Sequence, residues 1–226
     1  MTNIVNNENS DYHIHSTFSD GLPTIEEIVQ YAWILGMEEI AITDHSDHAT
    51  KKLEELCWIR PSGARYTLNN WINVHNDVKV IFWVEWDVLN ENGDVCLTNQ
   101  GIEGNFIVLS VHFNGYLSEH KTATKWLLNA IERYHDKINV IGHPYNDREL
   151  WEFLEIEPIV ELANKYWIAV EFNYWTFKRH LIKEKLDYVL KNAKNIYVNS
   201  DAHTLWSIKP KRQDCYNYLK ELWLWK

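Results

Sequence analysis

Six of the eleven histidines in this 226-residue chain fall in five short clusters, each closing an apolar, strand-like run. The clusters are Tyr12-His13-Ile14-His15 (with Ser19-Asp20-Gly21 behind it), Thr43-Asp44-His45, Ser110-Val111-His112, Gly142-His143-Pro144 and Ser200-Asp201-Ala202-His203. Val84-Glu85 ends a sixth run with a carboxylate. Imidazole and carboxylate groups brought from several strand ends to one face can hold more than one divalent cation, and hydrolysis by activated water is the chemistry they support. The His13–His15 pair alone says little, since alternation puts such a pair on one face of any strand. Six histidines joined by Asp20, Glu85 and Asp201 at successive strand ends point to metal binding. This mixture of ligands suits zinc, manganese or iron better than calcium. Asp44 suits a group that orients a ligand histidine rather than a ligand. His48, His75, His120, His135 and His180 lie in polar or helical contexts and read as solvated.

The elements that must position these groups alternate along the chain. Strands are expected at Tyr12–Ser16, Glu39–Thr43, Val78–Val88, Phe106–Phe113, Asn139–His143, Ala169–Asn173 and Asn195–Ser200, all rich in β-branched and aromatic residues. Helical apolar spacing runs through Ile25–Leu35, Glu119–Tyr134, Arg148–Tyr166, Lys178–Lys191 and Arg212–Leu222. Thr24 is placed to cap the first of these, with Glu26 and Glu27 where the helix dipole favours acids. Arg60-Pro61-Ser62-Gly63 interrupts the segment from Ala49 to Asn76, and Asn90-Glu91-Asn92-Gly93-Asp94 reads as the turn of a small antiparallel hairpin. Strand–helix alternation predicts a parallel sheet, and ligands at so many strand ends favour closure into a barrel over an open sheet with one switch point. No linker, repeat or low-complexity tract divides the chain, so residues 1–226 read as one α/β domain.

A net charge of −10 disfavours broad contact with extended nucleic acid or anionic membrane, which calls for a basic face. Cys57, Cys96 and Cys215 have no close metal spacing and read as reduced thiols. Residues Met1 to Ser10 are polar, and no apolar stretch approaches the ~18 residues of a membrane span. The expectation is a soluble cytoplasmic protein.

In order, the clusters resemble the motifs of the polymerase and histidinol phosphatase (PHP) superfamily, from residue 12 to residue 203. The resemblance implies a distorted seven-stranded (β/α) barrel with two or three divalent ions at the C-terminal ends of the strands. It implies that His13, His15, Glu85 and Asp201 hold one ion, and that Glu85 bridges to a second completed by His112 and His143. Asp20, His45 and His203 would hold a third. A hydroxide shared between two such ions is available near neutral pH and can attack phosphorus in line. In that family a Glu-x-Asn strand end is often followed by a basic residue. Here Glu171-Phe172-Asn173 precedes Lys178-Arg179-His180, which makes Arg179 a candidate phosphate clamp, with a solvated helix start as the alternative. Lys209, Lys211 and Arg212, just after the last ligand, read as surface charge, a position that leaves a substrate role open.

The resemblance implies metal-dependent hydrolysis of a small phosphomonoester of the histidinol-phosphate kind, so a small phosphorylated substrate is the expected partner. An exonuclease or an oligonucleotide phosphoesterase would use the same ions, the acidic balance allowing a short strand. A non-catalytic metal-binding regulatory module is the reading from another class, and the complete ligand set argues against it.

Twelve tryptophans against eight glycines is an unusual ratio, since a typical ~7% glycine would give about 16. Trp167 and Trp223 each follow a helical pattern where a left-handed glycine is expected. Trp83 stands where the resembling family usually has Gly-x-Glu. Either these are aromatic fillers of a Trp-rich core, or a recoded stop codon meaning glycine has been read as tryptophan.

Overall fold

The computed structural model describes residues 2–55, 75–112, 122–144, 154–175 and 183–225. Its strands are β1 (Asn3–Ile4), β2 (Ser10–Ile14), β3 (Glu39–Ile42), β4 (Lys79–Phe82), β5 (Val84–Asp87), β6 (Thr98–Asn99), β7 (Ile102–Glu103), β8 (Ile107–Ser110), β9 (Val140–Ile141), β10 (Ala169–Asn173) and β11 (Asn195–Asn199). The helices are α1 (Ile25–Ile34), α2 (Asp47–Glu55), α3 (Ala123–Tyr134), α4 (Ile156–Tyr166), α5 (Lys183–Asn192) and α6 (Lys209–Glu221).

Local sequence explains where these elements begin and what they bury. At the start of α1 the Thr24 hydroxyl accepts from the Glu27 amide at 3.2 Å, and the Glu27 carboxylate accepts from the Thr24 amide at 2.9 Å. That reciprocal cap satisfies two amides no helical carbonyl can reach. Ile25, Ile28, Val29 and Ala32 then recur at helical spacing and are fully buried. Strand β10 is buried along its whole length, as expected of a parallel strand covered on both faces. Gly142 allows close approach after β9, since a Cβ there would lie 2.3 Å from the Ser110 hydroxyl.

The strands form a parallel six-stranded sheet in the order β1-β11-β10-β9-β8-β5 and a parallel three-stranded sheet, β2-β3-β4. A larger apolar core packs α3, α4, α5 and α6 against the first sheet through Leu127, Ile159, Leu190 and Leu219. A smaller one packs α1 against the second. Each fully buried side chain of this size contributes roughly 1.5–3 kcal/mol.

Three features differ from the sequence expectation. The β ladders of the described residues form no closed seven-stranded barrel. The two sheets meet instead at single parallel bridges, Ile14 with Ala202 and His45 with Glu85. The run Val78–Val88, expected as one strand, breaks at Trp83 into β4 of one sheet and β5 of the other. The Trp83 ring packs there against both Tyr12 and Phe106, at centroid distances of 4.9 and 3.2 Å. The latter is closer than the ~4.5–7 Å that aromatic pairs favour. Third, the turn at Asn90–Asp94 closes only the antiparallel bridge Val88–Val95, while the two-stranded hairpin β6–β7 lies just beyond it, around Gln100-Gly101. The polar N-terminus also contributes β1, which pairs with β11 because backbone hydrogen bonding alone suffices at a sheet edge.

Trp167 ends α4 at φ 62° and Trp223 follows α6 at φ 60°. Both are left-handed, and both side chains project into solvent, 70% and 93% exposed. No helix among the described residues is long and apolar enough to cross a membrane.

Candidate metal centre

All nine residues singled out as ligands converge on one buried cluster. His13 lies on β2 and Glu85 on β5, while His15, His45, His112, His143, Asp201 and His203 stand just beyond the C-terminal ends of β2, β3, β8, β9 and β11. Asp20 enters from the loop after β2, where Gly21 is required, since a Cβ there would lie 2.3 Å from the His15 carbonyl oxygen. Asp201 and His143 hold positive φ, 50° and 20°, conformations that side-chain-bearing residues adopt only where surrounding structure enforces them.

Glu85 is the hub. Its carboxylate is fully buried and lies within 3.5 Å of five imidazoles. Oε1 is 3.0 Å from His143 Nε2, 3.4 Å from His13 Nε2 and 3.5 Å from His112 Nε2. Oε2 is 2.9 Å from His45 Nδ1 and 3.5 Å from His15 Nε2. Around Asp201, Oδ1 lies 3.4 Å from His15 Nε2 and 3.8 Å from His13 Nε2. Around Asp20, Oδ2 lies 3.2 Å from His203 Nε2 and 3.5 Å from His45 Nε2.

Apart from the 2.9 and 3.0 Å contacts of Glu85 with His45 and His143, these separations suit shared cations better than direct hydrogen bonds. A good N–H···O bond is near ~2.9 Å, whereas two ligands ~2.1 Å from one tetrahedral ion lie roughly 3.4 Å apart. His13 Nε2, His15 Nε2, His45 Nδ1, Asp20 Oδ1 and Glu85 Oε2 are buried and make no hydrogen bond, which is costly unless something else meets them. Four overlapping groups have ligand atoms within 4.8 Å of one another: His15/Asp20/His45/His203, His13/Glu85/His143, His13/His15/Asp201 and His45/Asp87/His112. The donor set and its unsatisfied inward atoms fit divalent metal.

Electrostatics describes the same site with protons in place of metal. Burial opposes charge on His13 and His45, but the carboxylates beside them outweigh it and hold both well above the ordinary histidine range. His143 is raised to about 9, burial again opposing, through its hydrogen bond to Glu85 and the charge of Asp201. Burial works against ionised Glu85, Asp20 and Asp201, yet the surrounding imidazoles hold all three below their usual values. His15 is lowered by burial and by His203 and His45.

Behind the inner residues stand carboxylates. Glu171, fully buried on β10, bonds His13 Nδ1 at 2.8 Å and accepts from the His143 amide at 3.0 Å and from Asn199 Nδ2 at 2.9 Å. Asp87 bonds His112 Nδ1 and so turns the other ring nitrogen, Nε2, toward Glu85. Asp44 binds the Ser16 amide at 2.7 Å and the Ser19 hydroxyl at 2.6 Å, and Ser19 Oγ lies 3.3 Å from His15 Nδ1. Asp44 thus bears on His15 through Ser19. In the sequence Glu171 stands out only through its Glu-x-Asn pattern, and Asp87 is not among the expected site residues. The Glu85-Trp86-Asp87 alternation, the same as in His13-Ile14-His15, was the available signal.

The remaining candidates divide. Arg179 lies outside the described residues, as do His120, His180 and Cys57. His48, His75 and His135 are exposed. The cluster Lys209, Lys211 and Arg212 is not surface charge. Lys209 bonds the Leu35 carbonyl at the end of α1, and the buried Arg212 clamps the carbonyls of Val198, Asn7 and Glu8.

Comparison with known proteins finds related sequences and folds. The DNA polymerase/3′-5′ exonuclease PolX of Bacillus subtilis is 26% identical over 198 residues, 86% of this chain but 34% of PolX. The chain thus spans about a third of the length of this curated relative. Histidinol phosphate phosphatase of Lactococcus lactis, solved with zinc, L-histidinol and phosphate, superposes with a TM-score of 0.63 at 19% identity, covering 95% of this chain and 93% of that one. The hisK protein of Listeria monocytogenes gives 0.58 at 17%, covering 91% and 99%. The PHP domain model matches residues 11–200, from the strand of His13 to the end of β11, and the chain belongs to the PHP domain family.

Proposed function

We propose that this chain is a metal-dependent phosphoesterase that hydrolyses a small phosphomonoester of the histidinol-phosphate kind. The observation that carries the reading is the buried Glu85 carboxylate facing five imidazoles, with inward atoms of His13, His15 and His45 unsatisfied. His13, His15, Glu85 and Asp201 would hold one divalent ion, Glu85 with His112 and His143 a second, and Asp20, His45 and His203, joined by His15, a third. Zinc, manganese and iron suit these donors. When bound, such ions lower the pKa of water toward ~7 and offset charge on phosphoryl oxygens. The chain's own part is to fix that geometry: Glu171 and Asp87 set the tautomer and tilt of His13 and His112, and Glu85 supplies a carboxylate no solvent screens. In this reading residues 1–226 act as one domain, the two sheets are the opened halves of a distorted seven-stranded barrel, and Arg179 clamps the phosphate. The unpaired thiols of Cys96 and Cys215 fit a reducing, cytoplasmic setting.

The similarity to PolX favours a second reading, cleavage of nucleotides or short oligonucleotides. Phosphate release from histidinol phosphate, a nucleoside 3′,5′-bisphosphate and a short oligonucleotide, each with zinc or manganese, separates the two. Release from the first is expected. Activity on the oligonucleotide alone would contradict the small-substrate reading, and bound metal with no hydrolysis at all would point to a regulatory module.

A further inference from the structure

Among the described residues, the buried ammonium of Lys211 forms no ion pair. Lys211 lies in the first turn of α6, only 7% exposed, with its Nζ 3.9 Å from the ring centre of Trp175. Tyr174 and Trp206 stand at 5.7 and 5.8 Å. The rings hold the ammonium by cation–π attraction but supply no hydrogen-bonding oxygen. Among the described residues no carboxylate or carbonyl bonds it, although an ammonium has three protons to place. An apolar side chain would fill the same slot without the desolvation that a buried charge suffers.

Where this lysine sits suggests its use. Tyr174 directly follows Asn173, which bonds Glu171 behind His13, and Trp206 comes three residues after His203. Burial pushes the Lys211 ammonium below its ordinary pKa, and the charge of Asp201, itself in the cluster, opposes that shift. The ammonium is therefore held among rings that follow Asn173 and His203 in the chain, and no described residue takes up its protons.

We propose that Lys211 binds a phosphoryl oxygen of the substrate, and of the orthophosphate product. This assignment rests on the phosphoesterase reading above. The test compares the metal-loaded wild type with Lys211→Met, which fills the slot, and Lys211→Arg, which keeps the charge. A charge-assisted hydrogen bond lost from the substrate should raise KM about 10- to 100-fold. Inhibition by orthophosphate should weaken alike in Lys211→Met, with metal content and melting temperature unchanged, and Lys211→Arg should recover most of both. Wild-type KM and phosphate inhibition in Lys211→Met would overturn the proposal, as would a loss accompanied by a lowered melting temperature that Arg does not rescue. A wild type inactive on every phosphomonoester would count against the phosphoesterase reading instead. Calorimetric binding of orthophosphate to the metal-loaded wild type and Lys211→Met would then still decide Lys211, equal affinity overturning it.

A second inference rests on separate observations. Trp167 and Trp223 both hold left-handed backbone just past a helix, the position glycine fills without steric cost, and neither side chain is buried. We infer that glycine is the native residue at 167 and 223, a recoded stop codon having been translated as tryptophan. The stop triplet at both positions of the gene is the expected finding, and the ordinary tryptophan codon at either would overturn it. Trp167→Gly and Trp223→Gly should each raise the melting temperature.

Discussion

Five described residues hold left-handed backbone without being glycine; Gln100 lies in the β6–β7 turn, and the other four form two pairs with opposite effects. Asp201 and His143, at φ 50° and 20°, stand at strand ends, and their strain turns a carboxylate and an imidazole into the cluster. Trp167 and Trp223, at φ 62° and 60°, stand at helix ends and turn large rings into water. Among the described residues the ring contact there is Lys194 Nζ at 4.5 Å over Trp167, an exposed cation–π pair of about 0.5–1 kcal/mol. Strain at the strand ends is tied to a site that needs those atoms. Strain at the helix ends is tied to nothing, so relieving it should cost function nothing.

The largest effect that could break this comparison is at the cluster. His143→Ala removes an imidazole 3.0 Å from Glu85 and should abolish phosphoester hydrolysis while leaving the core helices folded. Full activity in that variant would contradict the assigned site. Next come the carboxylates behind the imidazoles. Glu171→Gln and Asp87→Asn should each weaken metal binding by about 10- to 100-fold, read by competition with a chelator. Unchanged affinity in both would reduce these residues to packing.

A pH effect follows. In the metal-free protein His143 titrates near 9, above its unfolded value of about 6.5. The stability it contributes is therefore full below about 6.5 and lost as pH rises through about 9. Metal must displace that proton, so metal affinity should rise over the same interval in which metal-free stability falls. Thermal melts and zinc titrations at several pH values check both slopes, and parallel slopes would contradict the assignment.

The smallest effect is at the helix ends. Trp167→Gly and Trp223→Gly should stabilise by roughly 1–2 kcal/mol each through relief of left-handed strain, less the gain in unfolded-chain freedom that glycine brings. Hydrolysis should be unchanged. Destabilisation in chemical unfolding would show that the rings are doing more than their exposure suggests.

What was legible in the sequence was whatever repeats locally. His13-Ile14-His15 and the apolar runs before His45, His112, His143 and Asp201 carry their own strand assignment, so the strand-end convergence could be anticipated. Glu171 behind His13 is 158 residues away in sequence, and no local pattern links the two. The split of one expected strand into β4 and β5 at Trp83 was hidden for a different reason. Both halves have strand composition, and only the ladder with β3 on one side and β8 on the other shows that they belong to different sheets. The burial of Arg212 and Lys211 in the basic trio after His203 depends on β11 and the end of β10, which the trio's own composition does not reveal.

The measurement closest to the central claim is the metal content of Glu85→Gln beside the wild type, after loading with zinc or manganese and dialysis. Glu85 faces histidines of every ion group, so two or three ions per wild-type chain should fall by at least one. Affinity for those remaining should drop by more than the ~100-fold that an outer partner costs. Equal stoichiometry and equal affinity in the two proteins would contradict a metal centre built around Glu85.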